Sequence, residues 1–149
     1  MNLTAAFATD DGTLFMNRHF GDADFYDIYE ITAEDSEFLK RIPNTSEEEN
    51  EAVHADPLKA HSVAGLLLKE EVNTAVSKVF GPNIKRIRKK FVCVLSGDET
   101  IEGAIRTIQK HMAEIEAEWL EGPDRCHLRL APDPTWKPMK EEAEWNTMN

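Results

Sequence analysis

Five histidines, His19, His54, His61, His111 and His127, are the side chains of this 149-residue chain best suited to hold a metal. Neutral imidazole is the commonest metal ligand, and binding sites are usually built on loops at strand ends. His19 stands just before a glycine at the head of the strand-like run in "RHFGDADFYDIYEI", and His54 and His61 flank a helix start across "HADPLKAH". Spacing alone does not separate a ligand from a solvated or capping residue, the commoner role of an isolated histidine in a polar loop. His111 falls on the polar flank of a helix and reads as a surface residue. Carboxylates offer a second chemistry, because Asp10, Asp11, Asp22, Asp24, Asp27 and Glu30 cluster early in the chain. Metal-dependent nuclease chemistry would need Asp10 and Glu30 on one face around metals about 4 Å apart. A "DDG" turn among solvated acids is the plainer account. Cys93 and Cys126 form no CxxC, so they supply neither a disulfide framework nor a tetrathiolate site. Cys93 reads as a buried, inert thiol in a central strand. With no nucleophile-base-acid set, phosphate-cradling glycine loop or HExxH, the sequence favours a binding or carrier protein over an enzyme.

A net charge of −11 opposes general attraction to nucleic acid. Against it stands one basic cluster, Lys85, Arg86, Arg88, Lys89 and Lys90 in "NIKRIRKK", either a solvated helix face or a docking patch for an anionic partner. No apolar run approaches the roughly 20 residues that span a bilayer, so the expectation is a cytoplasmic protein without a membrane partner.

Positioning these residues requires a sheet. "NLTAAFAT" alternates Leu3, Ala5 and Phe7 against smaller residues and stops at a turn, which predicts a first strand. "FYDIYEI" reads as a strand covered on both faces, and "SEFLKRIP" as its antiparallel neighbour. The acidic stretch 44–57 reads as an exposed, mobile loop. Asp56 then caps a helix with Pro57 at its first position and Leu58, Val63, Leu66 and Leu67 as an apolar face. "TAVSKVF" predicts a short strand, "NIKRIRKKF" a helix burying Ile84, Ile87 and Phe91, and "FVCVLS" a central strand. From Ile101 to Trp119 apolar residues recur at three and four, predicting one long helix that Gly122 and Pro123 end. The chain therefore divides into a domain over 1–121 and an extended or mobile tail over 122–149. Strands alternating with helices predict a single α/β domain, a mixed sheet flanked by helices.

The ordered motifs "ATDDG", "HFGDADFYDIYEI", "HADPLKAHSVAGLLLKEEV", "VSKVFGPNIKRIRKKFVCVL" and "ETIEGAIRTIQKH", between Leu3 and Met112, resemble the dinitrogenase iron-molybdenum cofactor biosynthesis family. The resemblance implies a ribonuclease-H-like α/β fold and a non-enzymatic role in binding, storing or escorting a metal-sulfur cluster. The implied cargo is the iron-molybdenum cofactor or a precursor iron-sulfur cluster, with nitrogenase or cofactor-assembly proteins as partners. It makes His19 the first ligand to carry over, with His54 and His61 as second choices in a loop where relatives often place a histidine or cysteine. A cluster that brings its own sulfide needs only one or two exchangeable protein ligands, supported by backbone N–H groups around Gly21 and Gly12. The other ring nitrogen of His19 would be held by Asp22 or Asp24. The acidic loop Glu47 to Glu51 would be a lid or a docking segment. This chain departs from cysteine-bearing relatives in that loop.

Overall fold

The computed structural model describes residues 1–46, 57–132 and the backbone of 139–140. Its centre is β1 (Leu3–Thr9), whose alternation sends Leu3, Ala5 and Phe7 into one apolar cluster and Ala6 and Ala8 into another. β1 pairs antiparallel with β2 (Phe25–Ile31) and parallel with β4 (Thr74–Ser77). β3 (Ser36–Pro43) adds antiparallel to β2, and β5 (Val92–Ser96) adds parallel to β4. The sheet order is β3-β2-β1-β4-β5-β6-β7, its last members being β6 (Leu128–Leu130) and β7 (Met139–Lys140). This is the expected mixed sheet flanked by helices in a single α/β domain. Within the segment read as an extended tail, β6 pairs parallel with β5 and buries Leu128 and Leu130, so that stretch belongs to the sheet.

One face carries α1 (Pro57–Leu68) and α2 (Ile84–Ile87); the other carries α3 (Ile101–Lys110) and α4 (Met112–Leu120). α1 starts at Pro57 as expected, while its predicted cap Asp56 lies outside the described residues. The buried stripe is Ala60, Val63, Ala64 and Leu67, and Leu58 is exposed. Small residues set that choice: Ala60 and Ala64 lie over Ala6, Ala8 and Ala75 of the sheet in one cluster. α3 begins at Thr100, whose hydroxyl accepts the Gly103 amide (3.0 Å), an N-cap. The single long helix expected from Ile101 to Trp119 is interrupted at His111 (φ −124°, ψ 28°). The interruption keeps Ile108 and Ile115 seven residues apart on the buried face, which is why the apolar period did not reveal it. β4 ends at Ser77, short of the expected Phe80, because Val79 and Phe80 turn toward the segment around His19. α2 is shorter than predicted, yet Ile84, Ile87 and Phe91 are all buried.

β3 is an exposed edge with its protections in place: a bulge between Ile28 and Tyr29 of the β2 pairing, the cations Lys40 and Arg41, and a terminal proline. At the other side of the fold, Arg125 ties α2 to α4. Its Nη1 donates to the carbonyls of Lys89 (3.0 Å) and Arg88 (3.5 Å), its Nη2 to the carbonyl of Trp119 (3.0 Å). The guanidinium lies over the Trp119 ring, 4.4 Å from its centroid. Arg125 is 6 % exposed, so truncation strands three carbonyls and leaves a void. Arg125→Ala is expected to cost about 3 kcal/mol in urea denaturation, with Arg125→Lys restoring only part of it because an ammonium has no planar fork.

Candidate functional site

The strongest constellation forms where "HFG" meets "FGPN". Phe20 is fully buried, stacked on Phe80 (centroids 4.9 Å, 11° between planes) and tilted against Tyr26 (5.0 Å). The Tyr26 hydroxyl donates to the Phe20 carbonyl (2.8 Å), and burial raises its pKa, keeping it a neutral donor. Asn44 Nδ2 donates to the carbonyls of Gly21 and Ala23 (both 2.8 Å), so the single-turn 3-10 segment Phe20–Asp22 is bonded from outside as well as within. The aromatic anchor is inward, and His19, one residue before it, is left half-buried at the surface. A parallel bridge joins its backbone to Val79.

His19 lines a cleft with Gly21, Asp22, Lys59, Ala60, Val63, Phe80, Asn83 and Ile87. Its enclosed volume is about 10 Å³, room for roughly one water. A β-carbon at Gly21 would stand 3.3 Å from Lys59 Cε and 3.5 Å from Val63 Cγ2, so the glycine lets α1 close against the turn. Lys59 is the one buried lysine among the described residues, at 6 % exposed. Its ammonium donates to Ser46 Oγ (2.9 Å) and lies 4.0 Å from Asp22 Oδ1. The cleft wall thus contains a cation held in place at a low-dielectric boundary. Lys59 was missed in reading the sequence, although its place one residue before Ala60 and four before Val63 marks the apolar stripe. Asn44 gave no sequence signal at all, since its partners are 18 to 23 residues away.

The other expected ligands do not gather here. His61 is exposed on α1, two residues from Lys59 and so about 200° around the helix from the cleft side. His54 and the acids Glu47 to Glu51 lie outside the described residues. Among the described residues no three of histidine, cysteine, aspartate and glutamate come together as a metal cage. Neither Asp22 nor Asp24 bonds the His19 ring: Asp22 faces Lys59, and Asp24 Oδ1 lies 3.8 Å from Arg18. The Gly12 amide is taken by Thr9 Oγ1 (2.8 Å), in a turn whose Asp11 carboxylate accepts the amides of Thr13 and Leu14 and is thereby held below its ordinary pKa. Asp10 and Glu30 do not converge either. Glu30 pairs with Thr4 across the β1-β2 ladder, six residues before Asp10, which separates them by roughly 20 Å. Asp10 instead bonds Arg18 (2.5 Å) and the Asp24 amide (3.0 Å). Cys93 is fully buried, and burial pushes its thiol well above the ordinary range.

Residues 1–111 match the family model described as dinitrogenase iron-molybdenum cofactor, and the chain belongs to that family. Among solved structures, the crystal structure of a candidate dinitrogenase of Methanocaldococcus jannaschii is similar, with a TM-score of 0.54 and 20 % identity over 74 % of this chain and 91 % of that one. An NMR structure of a candidate dinitrogenase given as from Methanococcus jannaschii has a TM-score of 0.51 and 18 % identity over 75 % and 91 %. At these identities the likeness speaks for the fold. No curated protein matches the chain.

Asn44→Ala removes the two bonds to the Gly21 and Ala23 carbonyls of the His19 turn without touching the histidine. It is expected to cost roughly 1–3 kcal/mol in denaturant unfolding and to speed hydrogen exchange at the Asp22 amide, which donates to the His19 carbonyl. Unchanged Asp22 protection would show that the aromatic stack, with the Tyr26 and Arg18 bonds to the Phe20 and Asp22 carbonyls, holds the turn without Asn44.

Proposed function

We propose, from membership of the dinitrogenase iron-molybdenum cofactor family and from the His19 cleft, that the chain is a non-enzymatic carrier. Its cargo is a metal-sulfur cluster: the iron-molybdenum cofactor or a precursor iron-sulfur cluster. His19 is the primary ligand. The observation that carries this reading is the state of the ring: a half-buried imidazole with no protein hydrogen bond to either nitrogen among the described residues, mounted on a fully buried aromatic stack. Polar side-chain atoms taken out of water ordinarily find a hydrogen-bond partner, which the described residues do not give this ring.

The small cleft supports a carrier rather than a cage. At about 10 Å³ it cannot enclose a cluster, so the cargo sits at the mouth with most of its surface exposed. Such a cargo brings its own sulfide and needs only one or two protein bonds, which keeps it exchangeable. Lys59 in the cleft wall offsets part of the negative charge of the cluster. The partners are nitrogenase or cofactor-assembly proteins that load or receive the cargo. A nuclease reading loses its support with the separation of Asp10 and Glu30.

Protein purified without air is expected to hold iron, molybdenum or both together with sulfide, and to show visible absorption. His19→Ala should lower the bound metal by at least about tenfold, the range found when metal sites lose even an outer support. His61→Ala, on the far side of α1, should leave loading unchanged. Equal metal content in the parent and His19→Ala proteins would sink the proposal.

A further inference from the structure

A histidine that ligates a metal is ordinarily oriented by its second ring nitrogen, which donates to a carboxylate or carbonyl. His19 lacks that hydrogen bond among the described residues, yet its ring is not loosely placed. Gly81, in the loop between β4 and α2, has φ +76°, the left-handed region that favours glycine. A β-carbon there would lie 2.5 Å from His19 Nδ1, 2.6 Å from Cε1 and 2.7 Å from Cγ. Three ring atoms at nearly equal distance mean an approach over the ring face. An in-plane approach to Nδ1 would leave Cγ and Cε1 markedly farther away. The imidazole therefore turns its face toward Gly81.

We propose that Gly81 is the positioning residue for His19. The absence of a side chain at 81 lets the ring seat on the backbone, and that contact fixes its orientation where other sites use a hydrogen bond. The adjacent couplings reinforce it: His19 bridges Val79, and Phe20 stacks on Phe80. The "HFG" and "FGP" motifs form one unit, in which a phenylalanine supplies the anchor and a glycine supplies the seat. Because no group among the described residues is bonded to either nitrogen, none of them imposes a tautomer, and the ring can bind and release metal without breaking a hydrogen bond to them. This assignment rests on the reading of His19 as the cargo ligand.

The contact is measurable in the unaltered protein. An imidazole stacked on Gly81 shifts the Gly81 α-proton resonances by its ring current, so they should move on His19→Ala; resonances that stay in place overturn the proposal. A double-mutant cycle gives the second readout. Gly81→Ala should lower the folding equilibrium constant at least about threefold more in the parent than in the His19→Ala background, as expected of residues in contact. Backbone strain at φ +76° is common to both backgrounds and cancels. Gly81→Asn, which tolerates the left-handed backbone but still carries a β-carbon, should displace the ring as alanine does. Additive costs, or an asparagine variant whose His19 ring-proton shifts equal the parent's, would reject the assignment. Metal content separates the two claims. Coupling between the residues with unchanged metal in His19→Ala removes the ligand and leaves the seat, whereas lost metal without coupling removes the seat and leaves the ligand.

Discussion

β1 is buried on both faces, and the rest of the molecule is arranged to satisfy that constraint. Its residues from Leu3 to Thr9, except Thr4, are fully buried, which demands a strand partner on each side and a helical layer above and below. Its inward residues are small toward α1 and larger toward α3, so α1 can approach closely where Ala6, Ala8, Ala60, Ala64 and Ala75 meet. The space left at the carboxyl end of that layer is filled by Phe20, Tyr26 and Phe80. Aromatics from three separate segments can only fill that space by bringing the chain around His19 and the chain after β4 together. The site is thus a by-product of completing the core over β1.

That placement also explains why ligand-accessible groups emerge at this end. β1 and β4 run parallel and adjacent, so the segments leaving their carboxyl ends emerge side by side. In open α/β sheets this edge is where loops converge and ligands bind. The turn after β1 is closed on itself by Thr9 and Asp11, and so offers few free donors. The turn carrying His19 has its polar backbone bonded by Asn44 and Tyr26 instead, leaving the imidazole as the uncommitted group.

How much of this was legible follows from the range of each interaction. Strands β1, β2, β3 and β5 and the start of α1 were readable because alternation and Pro57 are local signals. The break at His111 was not, since Ile108 and Ile115 keep the apolar period through it, and β6 was too short, at three residues, to show one. At the site, His19 stood out by its place before an aromatic strand, but its surroundings are long-range. Lys59 meets Ser46 across 13 residues, and Gly81 meets His19 across an intervening helix and three strands. A left-handed glycine in a loop reads from sequence as a turn; only the fold shows what lies on it. Nor does sequence show that Asp22 and Asp24 lie beside cations, Lys59 and Arg18, and not on the His19 ring.

Charge sets the last constraint on the proposed cargo. A chain of net charge −11 repels an anionic cluster at long range, but at physiological salt that repulsion fades beyond about 8 Å. Within that distance the local field decides. Lys59 stands in the cleft wall, and the exposed lysines Lys85, Lys89 and Lys90 lie on and just after α2, whose Ile87 lines the same cleft. No ion pair of these three is found among the described residues, whereas Arg18, Lys40, Arg41, Lys78 and Arg106 each meet a carboxylate. Lys85 lies two residues before Ile87, about 200° around α2 from it, so the cation that the cleft itself presents is Lys59. Attraction of the proposed anionic cargo would then act through short contacts alone. On the proposed reading, one imidazole and the buried Lys59 on an acidic body would make capture short-ranged and release easy, a balance that an enclosing metal cage prevents.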